Sequence, residues 1–382
     1  MKFYKDIHMN PLRTLIASLA ASAAFVAHAQ VTIGASLPLT GPGSGLGIPV
    51  KRYMDLWPQT IAGQKLNVIV LDDATDPTQG VRNAKRFVSE DKVDLIIGSV
   101  NTPVAAPIAG VAAEGETVQI ALSPVPLPDD RWTFRMPQAN TIMAGAVASH
   151  MKAAKVRNIG ILAYADSYGE VWIKDLGAAA AKIGTPVVAT ERFARADTSV
   201  TAQALRLVAA NPDAILVVAS GSGSAMPHKA LVERGYKGKI YQTHASATRD
   251  LMRLGGKDVE GGYVVASPAI VAQQLPDSNP SKKEALALTK KYEAVYGPGS
   301  LNPASGHAHD VVIILEKAIP VALKKGRPGT KEFRDALRDA LETTGPFVLS
   351  HGVLNWTKTD HWGYAPDTGV ILKIVNGDWK IE

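Results

Sequence analysis

The sequence predicts an α/β protein made of two doubly wound parallel-sheet lobes. Three observations carry this. Short apolar runs alternate with helical stretches twice over, once from Val31 to residue 139 and again from residue 140 to 266, which is βαβ repetition with right-handed crossovers. Several of these runs end in small polar residues, at Ser99–Thr102, Ser123–Pro124 and Ser220–Ser224. Open α/β sheets bind ligands at that carboxyl edge. The chain has 382 residues, room for two domains of roughly 150 residues each.

Composition narrows the function classes. Hydrophobic residues make up 46% and charged residues 20%, so a sizeable core forms and disorder is excluded. There is no cysteine, which excludes disulfides, thiolate metal sites and cysteine nucleophiles. Residues 1–29 read as a signal peptide. Lys2, Lys5 and Arg13 form its basic start, the stretch from Thr14 to Ala29 lacks Asp, Glu, Lys and Arg, and Ala27-His28-Ala29 fits the small-x-small cleavage pattern. Cleavage after Ala29 would leave a periplasmic protein starting at Gln30; Met9 is a second candidate start. Removing those three bases with Asp6 lowers the formal charge from +6 to +4. Basic and acidic residues are interspersed, which gives no basis for a nucleic-acid partner.

Taken in order, Val31–Ser36 reads as a buried strand and Leu37–Gly47 as a glycine-rich loop. The glycine spacing fails the dinucleotide fingerprint, since Leu46 and Ile48 stand where its third glycine belongs. Leu66–Leu71 is a second strand, and Asp76-Pro77 caps a helix with Val81, Ala84, Phe87 and Val88 on one face. The organising stretch is Asp94–Pro107. A short apolar run stops at Gly98, a polar tip Ser99-Val100-Asn101-Thr102 follows, and Pro103 opens an Ala-rich helix. Strand, polar turn and helix N-terminus together suit an anion, most simply a carboxylate. The alternative is an ordinary loop with a capping threonine. Val118–Leu122 is the fourth strand.

The second set places strands at Ile159–Leu162, Val187, Asp213–Val218, Ile240–His244 and Gly262–Val265. Helices run from Asp166 through Lys182, from a cap at Asp197 through Val208, and from Met226 to Arg234. Residues 267–280 are irregular. Helices follow at 281–296, 304–323 and 331–342, then strands at Gly352–Trp356 and Val370–Ile374, with Asn376-Gly377 as a hairpin turn.

These pieces resemble the leucine/isoleucine/valine-binding-protein type of periplasmic solute receptors for ABC importers. The matching segments are Gly34-Ala-Ser-Leu-Pro-Leu-Thr-Gly-Pro, Asp72-Asp-Ala-Thr-Asp-Pro, Ile97-Gly98, Ser123-Pro124, Tyr168-Gly169, Gly235-Tyr-Lys-Gly and Gly261-Gly-Tyr, spread over nearly all of residues 31–382. The resemblance implies a type I periplasmic-binding fold, two lobes joined by three crossovers that close on a ligand. The expected boundaries are 31–139 with 267–363 for lobe one and 140–266 with 364–382 for lobe two. It also implies a monomer without cofactor, metal or catalytic activity, a small-molecule carboxylate ligand and a membrane permease as partner. Carried over residue by residue, the carboxylate grip falls on Thr102 with backbone groups near Ser123 and Val125, and the aromatic wall of lobe two on Tyr168. Asn101 and Ser220 join the candidates from the polar strand ends. Leu46 stands where the family often has an aromatic in the first loop. The family's second hydroxyl falls on Leu127, its later aromatic near Ala304, and residues 242–248 contain no acid to pair with an amino group. His244 and His307 resemble a subgroup that binds aromatic or other non-amino carboxylates, so an aromatic acid is the expected ligand. A branched-chain amino acid is the alternative within the same class.

Two other classes compete. An exported α/β enzyme would draw on His244, His307, His309, Asp310, Asp360 and His361, but no Gly-x-Ser-x-Gly elbow, His-Glu-x-x-His or phosphate loop occurs. A periplasmic ligand sensor would act through a partner, since a DNA-binding helix-turn-helix would have to occupy the leader's place.

Overall fold

The computed structural model describes residues 30–382. The expected leader and its cleavage after Ala29 lie outside the described residues. The first sheet contains β1 (Val31–Leu37), β2 (Thr60–Ile61), β3 (Gln64–Asp72), β4 (Leu95–Gly98), β5 (Val118–Ala121) and β6 (Thr133–Arg135), in the order β2-β3-β1-β4-β5-β6. Only the β2–β3 pair is antiparallel. β1, β4 and β5 are buried along their whole length, which is why they read as continuous apolar runs rather than alternating ones.

The second sheet takes β7 (Ile159–Tyr164), β8 (Val187–Phe193), β9 (Ala214–Val218), β10 (Lys239–Gln242) and β11 (Tyr263–Ala266). A small pair, β12 (Phe347–Leu349) and β13 (Gly352–Leu354), stands apart, and β14 (Val370–Val375) with β15 (Asp378–Ile381) completes the order β15-β14-β11-β10-β9-β7-β8. The β14–β15 hairpin turns at Asn376 and Gly377 with φ of 53° and 70°, the left-handed pair that a tight hairpin requires.

Helices cover both sheets. They are α1 (Ser44–Met54), α2 (Pro77–Ser89), α3 (Thr102–Glu114), α4 (Asn140–Ala153), α5 (Ser167–Lys182), α6 (Thr201–Ala209), α7 (Ala225–Glu233), α8 (Arg249–Gly255), α9 (Lys282–Tyr296), α10 (Pro303–Ala322) and α11 (Lys331–Thr343). The core around β1 takes in Tyr292, Ile314, Phe333 and Trp356, so α9–α11 belong with the first sheet. The chain therefore passes between the two units three times: between β6 and α4, between β11 and α9, and between β13 and β14.

The differences from the sequence reading are local. α1 begins inside the glycine-rich stretch expected to be a loop. Gly47 explains it, because a Cβ there would collide with the Pro38 carbonyl, so glycine lets this helix close on β1. Asp197 does not cap α6. Val200 holds that position, and the Asp197 carboxylate accepts the Ala194 N–H at 2.7 Å, closing its own turn. Asp76 caps α2 as expected, accepting from the Thr78 and Gln79 N–H groups. β2, β6, β12 and α8 are too short to leave a periodicity in the sequence.

Gly169 sits in the first turn of α5, and a Cβ there would collide with the Tyr164 carbonyl oxygen of β7. Both groups are backbone and cannot swing aside. Gly169→Ala is expected to destabilise the protein by about 1–3 kcal/mol, read by urea denaturation. A wild-type midpoint would show that α5 can shift off β7.

Candidate functional site

The carboxyl ends of the two sheets face one cavity. In the first lobe, β4 stops at Gly98 and α3 starts at Thr102. Asn101 occupies the N-cap position but its side chain makes no cap bond. Thr102 Oγ1 and Asn101 Nδ2 are both buried and without a partner. The capping-threonine alternative therefore loses its basis: the Thr102 hydroxyl satisfies nothing within the protein. Gly43 lies against Asn101, with no space for a Cβ between them.

The second lobe presents Tyr168 from α5. Its hydroxyl donates to Thr243 Oγ1 at 2.9 Å, so the ring rather than the hydroxyl is left for a ligand. Asp166 caps α5, accepting the Tyr168 and Gly169 N–H groups at 2.9 and 3.2 Å. Its other oxygen takes Arg195 Nε at 2.6 Å. Arg195 Nη1 donates to Ser220 Oγ at 3.0 Å, and the guanidinium lies 4.1 Å from the Tyr164 ring centre. Cap, aromatic wall and polar strand end are thus one connected unit.

Three imidazoles meet between the lobes. His244, after β10, lies edge-on to Tyr168 at 6.3 Å and tilted over Trp172 at 5.8 Å. His307, in the first turn of α10, stacks on His351 at 4.2 Å. Burial pushes His244 down to about 4, with the neighbouring His351 adding to it. Burial also holds His307 well below the usual histidine range, helped by His351 and His244. Both are neutral at pH 7. Each of the three has one buried nitrogen without a partner: Nδ1 of His244 and His307, and Nε2 of His351.

Of the residues expected from sequence, Leu46, Asn101, Thr102, Tyr168, Ser220, His244 and His307 line this cavity. Ser123 and Val125 are buried but are not in its lining; Pro124 between them is. The Val125 carbonyl already accepts from Arg135 Nε at 2.7 Å. Leu127 packs beside Val125, away from the lining. Arg195, Gln138 and His351 line the cavity without having been expected. Arg195 and His351 lie in short connections where no periodicity or motif marks them. His309 and Asp310 leave the site: His309 Nδ1 is 2.6 Å from Tyr53 Oη, and Asp310 turns to His351. His361 stacks on Phe134 at 3.9 Å in the lobe-one core. No aspartate or glutamate lines the cavity. Among the described residues, no group of three or more His, Asp or Glu is placed to hold a metal ion, and no helix is long and apolar enough to cross a membrane.

The sequence profile of the periplasmic binding proteins matches residues 30–367. The chain belongs to the periplasmic binding protein family. An extracellular ligand-binding receptor from Rhodopseudomonas palustris is 44% identical, over 92% of this chain and 99% of that one, with a TM-score of 0.91. Leu/Ile/Val-binding protein homolog 3 of Brucella melitensis is 23% identical over 352 residues, 88% of this chain and 89% of its own length. A solute-binding protein of an R. palustris ABC transporter, solved in complex with benzoate, shares the fold at a TM-score of 0.77 and 17% identity, over 92% of this chain and 95% of that one. As a periplasmic binding protein of the ABC-transporter type, this chain is a solute receptor and not an enzyme.

The buried histidines make stability depend on pH. His244 and His228 are both held near 4 by burial, against about 6.5 in an unfolded chain. Between those values the unfolded state binds the extra protons, so stability is full above about pH 6.5 and falls toward pH 4. His244 alone contributes a loss on the order of 3 kcal/mol. Urea denaturation from pH 7.5 to 4.5 is expected to show this decline, with a shallower slope in His244→Gln. An equal slope in that variant would show that His244 does not stay neutral.

Proposed function

We propose that this protein captures a small carboxylate without an α-amino group, an aromatic acid, between two closing lobes and delivers it to the permease of an ABC importer. The observation that carries the reading is the wall of the cavity. Five lining residues, Asn101, Thr102, His244, His307 and His351, each hold a buried polar atom without a partner, and no acid accompanies them. A buried ammonium left without a carboxylate costs several kcal/mol, which disfavours an amino acid. A carboxylate instead accepts charge-assisted hydrogen bonds from hydroxyl, amide and imidazole donors. Leu46, Val100, Leu122, Pro124 and Ala304 supply the apolar part of the wall, and the Tyr168 face offers a stacking partner for a ring. The benzoate held by the R. palustris solute-binding protein is support at the level of fold only.

In this reading Thr102 and Asn101 take the carboxylate, and Leu46 and Tyr168 flank the ring. His244 and His307 contact it from opposite lobes, and Ser220 acts by steadying Arg195. Ser123 and Val125 shape the turn that carries Pro124. The closing bodies are residues 31–139 with 267–363, and 140–266 with 364–382, in a mature periplasmic monomer that starts at Gln30.

Calorimetry on refolded, ligand-free protein is expected to show micromolar or tighter binding of benzoate-like or phenylpropanoid acids and none of leucine or valine. The reverse result would restore the branched-chain amino-acid reading. Thr102→Ala is expected to weaken acid binding by about 1.5–3 kcal/mol, with a stability change below about 1 kcal/mol because its hydroxyl caps nothing. Unchanged affinity with lowered stability would return Thr102 to a structural role.

A further inference from the structure

One polar atom of the cavity wall is of the wrong kind to hold a carboxylate. His351 follows β12 and is almost completely buried. Its Nδ1 lies 2.7 Å from Asp310 Oδ2 on α10. The Asp310 oxygens also accept the N–H groups of Ser350 at 2.8 Å and His351 at 3.3 Å. A carboxylate so placed accepts, and the imidazole beside it donates; the hydrogen bond on one ring nitrogen sets the state of the other. In the neutral ring, with its one proton on Nδ1, Nε2 keeps its lone pair. That atom is buried, has no partner, and belongs to a residue lining the cavity.

The ring cannot turn to escape this. His307 stacks on it at 4.2 Å. From α10, Gly306 comes so close that a Cβ there would lie 2.5 Å from His351 Cε1. Gln138 Nε2 donates to the His351 carbonyl at 2.8 Å and fixes the backbone. A carboxylate oxygen against the Nε2 lone pair would be repelled. An apolar ring edge would leave it unsatisfied, at the cost of a buried acceptor.

We infer that the ligand carries a hydroxyl group besides its carboxylate, and that this O–H donates to His351 Nε2. The substrate class is then the hydroxylated aromatic acids. The inference rests on the carboxylate reading of the same cavity, and it makes His351 a specificity-determining residue with Asp310 setting its proton.

The test is calorimetry of the wild-type mature protein with 3- and 4-hydroxybenzoate, 4-fluorobenzoate and terephthalate, and with the matching hydroxy- and fluorocinnamates. Fluorine matches the hydroxyl closely in size and donates nothing. At least one hydroxylated acid is expected to bind about tenfold or more tightly than its fluoro counterpart. Equal binding of the two would overturn the hydroxyl inference and leave the carboxylate reading standing. Tightest binding of terephthalate would overturn it by showing that Nε2 donates. Binding of leucine with no aromatic acid would overturn both readings. Nitrogen-15 NMR of the histidine side chains in the free protein is independent of any ligand: Nδ1 of His351 is expected to carry the proton and Nε2 none, and a protonated Nε2 would overturn the inference. In His351→Phe the hydroxy and fluoro acids are expected to bind alike, the preference for the hydroxyl being lost. A preference retained in that variant would overturn the assignment to His351.

Discussion

A buried polar atom without a partner costs about 1–3 kcal/mol, and this protein places five such atoms on the lining residues of one cavity. Outside the cavity Asn140, Thr248 and His309 also hold unpartnered buried atoms, but many comparable groups are satisfied. Asp76, Asp166, Asn302 and Thr330 all cap their helices through the side chain. Buried Asp94 accepts N–H groups from Thr32 and Gly329 at 2.9 and 2.6 Å, and buried Arg135 is held by Asp130 and the Val125 carbonyl. At α3 the pattern breaks: Asn101 stands at the cap and leaves its amide unused. The fold brings this about because parallel strands deliver all their carboxyl ends to one edge, and the two sheets turn those edges toward each other.

The two lobes contribute different chemistry to the cavity. Apart from His244 Nδ1, the second-lobe side is largely paired. Asp166 holds Arg195, Arg195 holds Ser220, and the Tyr168 hydroxyl is bound to Thr243. What it leaves for a ligand is mainly surface: the Tyr168 ring and one face of His244. The first-lobe side carries the unsatisfied groups on Asn101, Thr102, His307 and His351. Polar selection therefore rests with lobe one and enclosure with lobe two. The arginine does not convert the site into a general anion trap, because Asp166 compensates its charge at 2.6 Å.

Much of this was legible in the sequence. The alternation of apolar runs with helical spacing located both sheets, and the stretch from Asp94 to Pro107 pointed to Asn101 and Thr102 because a strand end, a polar tip and a helix N-terminus converge there. Tyr168 was legible through its motif. The rest had no local signature. β6 has three residues, and α1 hides behind glycines that serve close packing rather than a turn. His351 sits in a two-residue hairpin connection, and its role depends on Asp310, 41 positions earlier. Arg195 gains its place only when β8 and β9 lie beside β7. Such pairings are made by the sheet and leave no spacing to read. The family resemblance implied that backbone groups near Ser123 and Val125 touch the ligand. The turn instead buries both and presents Pro124.

α10 shows how one helix separates three tasks that the sequence crowds into four residues. Residues two apart on a helix face different ways, so His307 reaches the cavity while His309 turns to Tyr53. Asp310 turns to β12 and fixes His351. Spread round the helix, they tie the lobe-one core, the small hairpin and the cavity wall to one helix. That shared anchorage matters for closure. In the proposed closure lobe two approaches and recedes, while Asn101, Thr102, His307 and His351 stay in one frame set by β4 and α10. Under that proposal a ligand seated there would satisfy the lobe-one atoms in either state and gain His244 and the Tyr168 face only when the lobes meet. The differential affinity for the closed form, which is all that can shift the population, therefore comes from the lobe-two surface.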